Sequence, residues 1–176
     1  MIFISIGANL PSPVYGSPKA TCESALDYLG EQEGINVDKV SRWYRTAPVP
    51  VSDQPWYVNG ICAITTGLTP EQVMSVLLEI ENHFGRTRSI KNAARILDLD
   101  LITYNDVIKG WPFDPEGDPT NLVLPHPRLH ERAFVLLPIG DIAPDWVHPA
   151  TGILLKDMID LLDKEQQALP EPDETV

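Results

Sequence analysis

Positive charge is what this chain has least of: 13 Lys and Arg stand against 25 Asp and Glu in 176 residues, a formal net charge of −12. That balance excludes a general nucleic-acid binder and a protein that adheres to anionic membrane surfaces, since both need a basic face. Cysteine is nearly missing too. Cys22 and Cys62 have no zinc-type spacing and form no framework of pairs, so they read as small buried apolar residues in a reducing compartment. Long apolar runs are also lacking. Residues 1–7 carry no basic flank and are too short for a signal peptide or a membrane span, and nothing later is long enough, which makes a cytoplasmic protein the expectation.

The scarce cations are concentrated. Six of the 13 fall in two windows, Arg86, Arg88, Lys91 and Arg95 in the first and Arg128 and Arg132 in the second. An acidic protein that gathers its cations in this way suits an anionic small molecule. Straight after the first window comes Ile96-Leu97-Asp98-Leu99-Asp100-Leu101. In a strand, residues two apart share a face, so Asp98 and Asp100 line one side and Leu97, Leu99 and Leu101 the other. Taken alone, the pattern is either a strand with its polar face in water or two carboxylates sharing a hard divalent cation. The neighbouring arginines favour the cation, because a phosphate chain held through a metal needs positive charge beside that metal.

Around this stretch the chain reads as alternating strands and helices. Residues 1–7 are mostly β-branched or aromatic and predict a buried strand. A Pro/Ser/Gly-rich loop follows, then a helix over 18–29 with proline at its start. Alternation predicts a strand over 35–44, the prolines at 48 and 50 an extended loop, and 57–66 another strand. Thr69-Pro70-Glu71-Gln72 is a capping box that opens a helix with Val73, Val76, Leu77, Ile80 and Phe84 on one side. Beyond the Asp-bearing strand at 96–104 and an exposed loop at 111–121, helices are expected at 129–137 and 154–162. A single domain over 1–163 then ends in an acidic, proline-containing flexible tail over 164–176. The order predicts an α+β fold, a ferredoxin-like split βαβ with a mainly antiparallel sheet and helices packed on it.

Four ordered segments resemble a known family: Ser5-Ile6-Gly7-Ala8-Asn9-Leu10; Tyr44-Arg45-Thr46-Ala47-Pro48 leading to Asp53-Gln54-Pro55-Trp56-Tyr57-Val58-Asn59; Lys91 through Leu101; and Pro125-His126-Pro127-Arg128 with Arg132 and Phe134. Together they resemble 6-hydroxymethyl-7,8-dihydropterin pyrophosphokinase over about residues 1–160. The resemblance implies a folate-biosynthesis enzyme that moves a pyrophosphoryl group from ATP to the pterin's hydroxymethyl oxygen and releases AMP; a monomer is the default expectation. It implies two Mg2+ ions held by Asp98 and Asp100, with Arg86 and Arg95 beside them as catalytic residues. Arg86, Arg88, Lys91, Arg95, His126 and Arg132 are the implied ATP contacts, with Glu81 and Leu101 on the nucleotide side. For the pterin, it implies Tyr57 and Phe134 as aromatic walls, Asn59 as reader of the ring edge, and the main chain of Thr46, Ala47, Pro48 and Val49 to complete it. A flat ring with a hydrogen-bonding edge calls for such groups.

Three positions depart from the family pattern. Asn92 stands where some members have an aromatic, the loop from Arg88 to Arg95 is one residue short, and Pro127 replaces an aromatic that can occur there. Two other classes share parts of this grammar: a ferredoxin-like binding module without chemistry, and an Asp-x-Asp transferase acting on sugar nucleotides. Formation of AMP from ATP and a pterin alcohol separates both from the pyrophosphokinase.

Overall fold

The computed structural model describes residues 1–48, 52–85, 94–118 and 121–172. Val49, Arg86, Arg88, Lys91 and Asn92, singled out above, lie outside these residues. Among the described residues the order is β1 (Ile2–Ala8), α1 (Pro18–Gly30), β2 (Ile35–Val40), β3 (Tyr44–Thr46), β4 (Tyr57–Thr66), α2 (Pro70–His83), β5 (Asp98–Tyr104), a 3-10 turn at Leu129–Glu131, α3 (Ala133–Ile142), α4 (Leu155–Asp160) and β6 (Ala168–Pro170). The sheet order is β5-β1-β4-β3-β6, with β2 lying beside the second half of β4. Every pairing is antiparallel. The arrangement of β5, β1, β4 and then β2 with β3 is that of the ferredoxin-like split βαβ.

Local chemistry sets the helix starts. The Ser17 hydroxyl accepts from Ala20 N–H with Pro18 at the first helical position, and Thr69 and Gln72 form the reciprocal capping box expected for α2. Each satisfies amides that a helix start otherwise leaves unpaired. One sheet face buries Ile2, Ile4 and Ile6 together with Leu97, Leu99 and Leu101 against Cys22, Ala25 and Leu29 of α1 and Val73, Leu77 and Ile80 of α2. The opposite face packs Phe3, Ile61, Ala63 and Ile102 against Val135, Leu136 and Ile139 of α3 and Leu155 and Met158 of α4. The result is a three-layer sandwich with the sheet in the middle.

Three expectations change. The strand expected over 35–44 is two strands, β2 and β3, both paired with β4. At the break the Ser41 hydroxyl accepts from Ile61 N–H at 2.9 Å and donates to the Arg42 carbonyl at 2.8 Å, so a side chain replaces a rung of the ladder. The helix expected over 129–137 is a 3-10 turn followed by α3, which runs past Pro138. Residues 168–170 of the expected tail form β6, paired with β3 in the register Thr46↔Ala168. That last difference bears directly on the site.

Candidate active site

The sheet face beneath α3 and α4 changes character along its strands. Reading the side that holds Phe3, β1 presents Phe3, Ser5 and Gly7, β4 presents Ala63, Ile61, Asn59 and Tyr57, and β5 presents Ile102, Asp100 and Asp98. The first members are core. The last are polar or small, and the ladder aligns them in rows: Asp98 opposite Gly7, Gly7 opposite Asn59, and Asp100 opposite Ser5. Directly opposed residues on antiparallel strands have Cβ atoms only about 5 Å apart, so the paired carboxylates and the amide share one floor. Gly7 keeps that floor flat. A Cβ at Gly7 would lie 2.4 Å from Asn59 Oδ1.

Around the carboxylates the cations converge. Arg95 forms an ion pair through Nη1 with Asp98 Oδ1. Its backbone is clasped by Asn9, whose Oδ1 accepts from Arg95 N–H at 2.8 Å, while Asn9 N–H and Leu10 N–H both donate to the Arg95 carbonyl. The Asn9 Nδ2 also donates to the Pro55 carbonyl at 3.1 Å, which joins the arginine segment to the loop before Tyr57. Arg132 feels both carboxylates: its burial weakens the guanidinium's hold on its proton, and Asp100 and then Asp98 oppose that effect. His126 is anchored by its N–H on the Ile102 carbonyl at 2.8 Å. Burial, then Arg132 and Arg128, push its imidazole down to about 4 against the pull of Asp98. His126 is therefore neutral near pH 7. Since its Nδ1 accepts from Arg128 N–H at 3.2 Å, the proton sits on Nε2, a neutral donor suited to a phosphate oxygen.

At the other end of the row, Asn59 is buried and its Nδ2 donates to Thr46 Oγ1 at 2.6 Å. Tyr57 is half-buried, and its hydroxyl donates to Gln54 Oε1 at 3.3 Å. Burial raises its phenol above the usual range, with Arg95 opposing and Asp98 reinforcing, so it stands within the field of the carboxylate site. Phe134 lies under the Arg132 guanidinium, 5.4 Å from ring centre to Cζ. The structure thus brings Arg95, Asp98, Asp100, His126 and Arg132 to one end of a sheet face that also carries Tyr57, Asn59 and Thr46.

Three expected contacts read differently in place. Glu81 is only 1% exposed, and its Oε1 accepts from Leu99 N–H at 2.7 Å. It braces the edge strand between the two aspartates. The Leu101 side chain is in the α1/α2 core, which leaves only its main chain for a ligand. Just after β3, Ala47 N–H already donates to the Gln167 carbonyl at 3.1 Å and Pro48 has no N–H, so neither supplies a donor to a ring. Asn9, Gly7 and Gln54 were not singled out as site residues by their sequence positions. Their roles come from register and from partners far along the chain.

The donor set suits Mg2+. Two carboxylates one strand step apart, opposite Ser5 and Gly7, offer hard oxygens with small neighbours, and Mg2+ completes its shell from water and substrate phosphates. Among the described residues no group of three or more His, Cys, Asp or Glu gathers around a common point.

Comparison with known proteins follows the same lines. The chain is 36% identical over 160 residues to the 2-amino-4-hydroxy-6-hydroxymethyldihydropteridine pyrophosphokinase of Synechocystis sp., covering 91% of this chain and 75% of that protein. It is 37% identical over 145 residues to the enzyme of the same name from Methylorubrum extorquens, covering 82% and 84%. The folic acid synthesis protein fol1 of Schizosaccharomyces pombe matches at 35% over 160 residues, which is 20% of its length. In backbone the chain resembles wild-type Plasmodium falciparum HPPK-DHPS, with a TM-score of 0.64 over 90% of this chain and 43% of that one; at 14% identity this likeness speaks for the fold alone. No helix among the described residues is long and apolar enough to cross a membrane. Residues 3–144 match the model of the 7,8-dihydro-6-hydroxymethylpterin-pyrophosphokinase family, and the chain belongs to that family.

Proposed function

We propose that this chain is a diphosphokinase of folate biosynthesis that transfers the β- and γ-phosphoryl groups of ATP, as one unit, to the hydroxymethyl oxygen of 6-hydroxymethyl-7,8-dihydropterin. A bond forms between that oxygen and the β-phosphorus, the bridge to the α-phosphorus breaks, AMP departs and one proton is released. The observation that carries this reading is the row Asp98, Gly7, Asn59, in which a carboxylate that can hold a cation and an amide that can read a ring edge share one floor. Reacting atoms held in line by a rigid floor gain most of what phosphoryl transfer asks of a protein.

In this reading Asn59, fixed by Thr46, sets the ring's rotation, and Tyr57 and Phe134 hold its faces. Arg95 and Arg132 neutralise the triphosphate together with Arg86, Arg88 and Lys91, while Nε2–H of His126 donates to a phosphate oxygen. With its Nδ1 already accepting from Arg128, His126 is no base for the hydroxyl. Two Mg2+ ions at Asp98 and Asp100 would supply charge neutralisation and polarise the phosphoryl oxygens. We keep the monomer as the default state, and two cysteines without a framework of pairs fit a reducing, cytoplasmic compartment.

AMP release measured with ATP, Mg2+ and the pterin alcohol tests the reading. Turnover is expected to vanish with EDTA, return with Mg2+, and fall about 100-fold or more in Asp98→Asn and Asp100→Asn, on the scale of removing an electrostatic contact to a transition state. Turnover that ignores both substitutions overturns it.

A further inference from the structure

The segment expected to fray is bonded both to the start of α3 and to the main chain that follows β3. Gln166 Nε2 donates to the Glu131 carbonyl at 2.7 Å, and Gln166 Oε1 accepts from Ala133 N–H at 2.9 Å. The two bonds bracket Arg132. The next residue, Gln167, accepts through its carbonyl from Ala47 N–H at 3.1 Å, and β6 then continues the grip by pairing with β3. Beyond it, Glu171 N–H donates to the Trp43 carbonyl at 2.7 Å, and the Glu171 carboxylate lies 3.6 Å from Arg45 Nε. Two consecutive residues therefore tie the start of α3, with Arg132 and Phe134, to the Thr46–Pro48 loop.

The attachment answers a need at α3. Its N-cap residue, Arg132, makes no side-chain cap bond, yet the first amides of a helix need acceptors. Gln166 supplies one from 33 residues away and returns a donor to Glu131. No other side chain of that length offers both at once: Glu lacks the donor, and Met lacks both. The Gln166 main chain is in turn set by the Asp163 turn, where Gln166 N–H donates to the Asp163 carbonyl and Glu165 N–H to Asp163 Oδ1.

We infer that Gln166 is a positioning residue for pyrophosphoryl transfer, and that residues 166–170 form a strap fixing the distance between the start of α3, which carries Phe134, and the Thr46–Pro48 main chain of the pterin site. This rests on the assignment of Phe134 and that main chain to the pterin. Of the phosphate-side cations among the described residues the strap brackets Arg132 alone, while Arg95 is held by Asn9 and His126 by Ile102, so its loss falls on the pterin, whose two sides it joins, more than on ATP.

The test compares Gln166→Met, Gln166→Glu and, as a control on the exposed face of β6, Leu169→Ser, measuring kcat/KM for each substrate and amide exchange at Ala133. In Gln166→Met, kcat/KM for the pterin alcohol is expected to fall about tenfold, the scale of a lost hydrogen bond with its partner left unpaired, with a several-fold smaller loss for ATP. Ala133 exchange should quicken while α2 stays protected. Gln166→Glu, which keeps the acceptor for Ala133, should recover part of the loss, and Leu169→Ser should match the parent. Equal losses for both substrates, as mere unfolding would give, or unchanged kinetics in Gln166→Met, overturn the inference. A parent chain that makes no AMP overturns the functional reading instead, and the exchange at Ala133 still reports on the strap.

Discussion

Asn9 and Arg95 hold each other through both backbone and side chain: Arg95 N–H donates to Asn9 Oδ1 at 2.8 Å, and Asn9 N–H donates to the Arg95 carbonyl at 3.0 Å. The same Asn9 amide donates to Pro55, just ahead of Tyr57. One side chain, 1% exposed, thereby fixes the arginine that pairs with Asp98 against the loop that leads to Tyr57.

Asn9→Ala removes every one of these side-chain bonds and leaves the Arg95 amide without its acceptor. A buried donor stripped of its partner costs about 1–3 kcal/mol, so the thermal midpoint should drop. Activity should fall further than stability explains, with kcat/KM reduced for both substrates because both sides lose their anchor. Asn9→Asp keeps the acceptor but loses the donor to Pro55, and it should remain well below the parent. Calorimetry beside the AMP assay checks both variants, and parent-like kinetics in Asn9→Ala would remove Asn9 from this role.

The depressed imidazole of His126 predicts how stability follows pH. Its folded value is about 4 against an ordinary 6.5. Across that interval the unfolded chain binds a proton that the folded chain refuses, so stability is lost as pH falls from 6.5 toward 4 and is fully present above. The window is worth at most about 3 kcal/mol at this site. Burial of His148 lowers its value too and acts with the same sign. Urea midpoints taken from about pH 7 down to about pH 4.5 should decline, and the decline should be shallower in His126→Phe. A slope identical to the parent's would show that His126 is not its source.

Gly7→Ala places a methyl group 2.4 Å from Asn59 Oδ1. Because that amide is already tied to Thr46, the floor can accommodate the methyl only by releasing it, and KM for the pterin should rise about tenfold or more, the scale of one well-placed hydrogen bond. Gly60→Ala crowds just as severely, with its Cβ 2.6 Å from the Trp43 ring, but away from the row of polar residues. It should cost stability, about 1–3 kcal/mol for overpacking, and leave the pterin KM unchanged. Steady-state kinetics of the two variants separate a shaped floor from general crowding.

What was legible in the sequence is what depends on neighbours within a few residues. The alternation at Asp98 and Asp100 put both carboxylates on one face because strand geometry has period two, and the capping box at Thr69 marked the start of α2. What stayed hidden depends on distant partners. The Asn9 bonds span 86 and 46 residues and those of Gln166 span 33 and 35, and no local pattern encodes them. Gly7 by its neighbours is the end of a strand, and only its register against Asn59 puts it in the polar row. The break at Ser41 escaped notice for the same reason, since a serine that replaces a ladder rung is visible only with Ile61 beside it. A polar segment with two prolines resembles a tail in composition, yet residues 168–170 find an unpaired edge at β3.

Glu81 provides the sharpest discrimination between a ligand contact and a brace. By its sequence place it belonged with the nucleotide, whereas its carboxylate is buried and accepts from Leu99 N–H, the one amide lying between Asp98 and Asp100 on an edge strand. If the brace is its role, Glu81→Gln retains a carbonyl acceptor of the same length and should leave KM for ATP within about twofold, since no contact to the nucleotide is lost. Glu81→Ala leaves the Leu99 amide unsatisfied, so it should destabilise the fold by about 1–3 kcal/mol and lower kcat, because the spacing of the two carboxylates is no longer held. The proposed Mg2+ affinity follows that spacing and should weaken in Glu81→Ala but not in Glu81→Gln, as read by the Mg2+ concentration needed for half-maximal AMP release. An ATP KM that rises in both variants alike, with Mg2+ dependence unchanged, would return Glu81 to the nucleotide side.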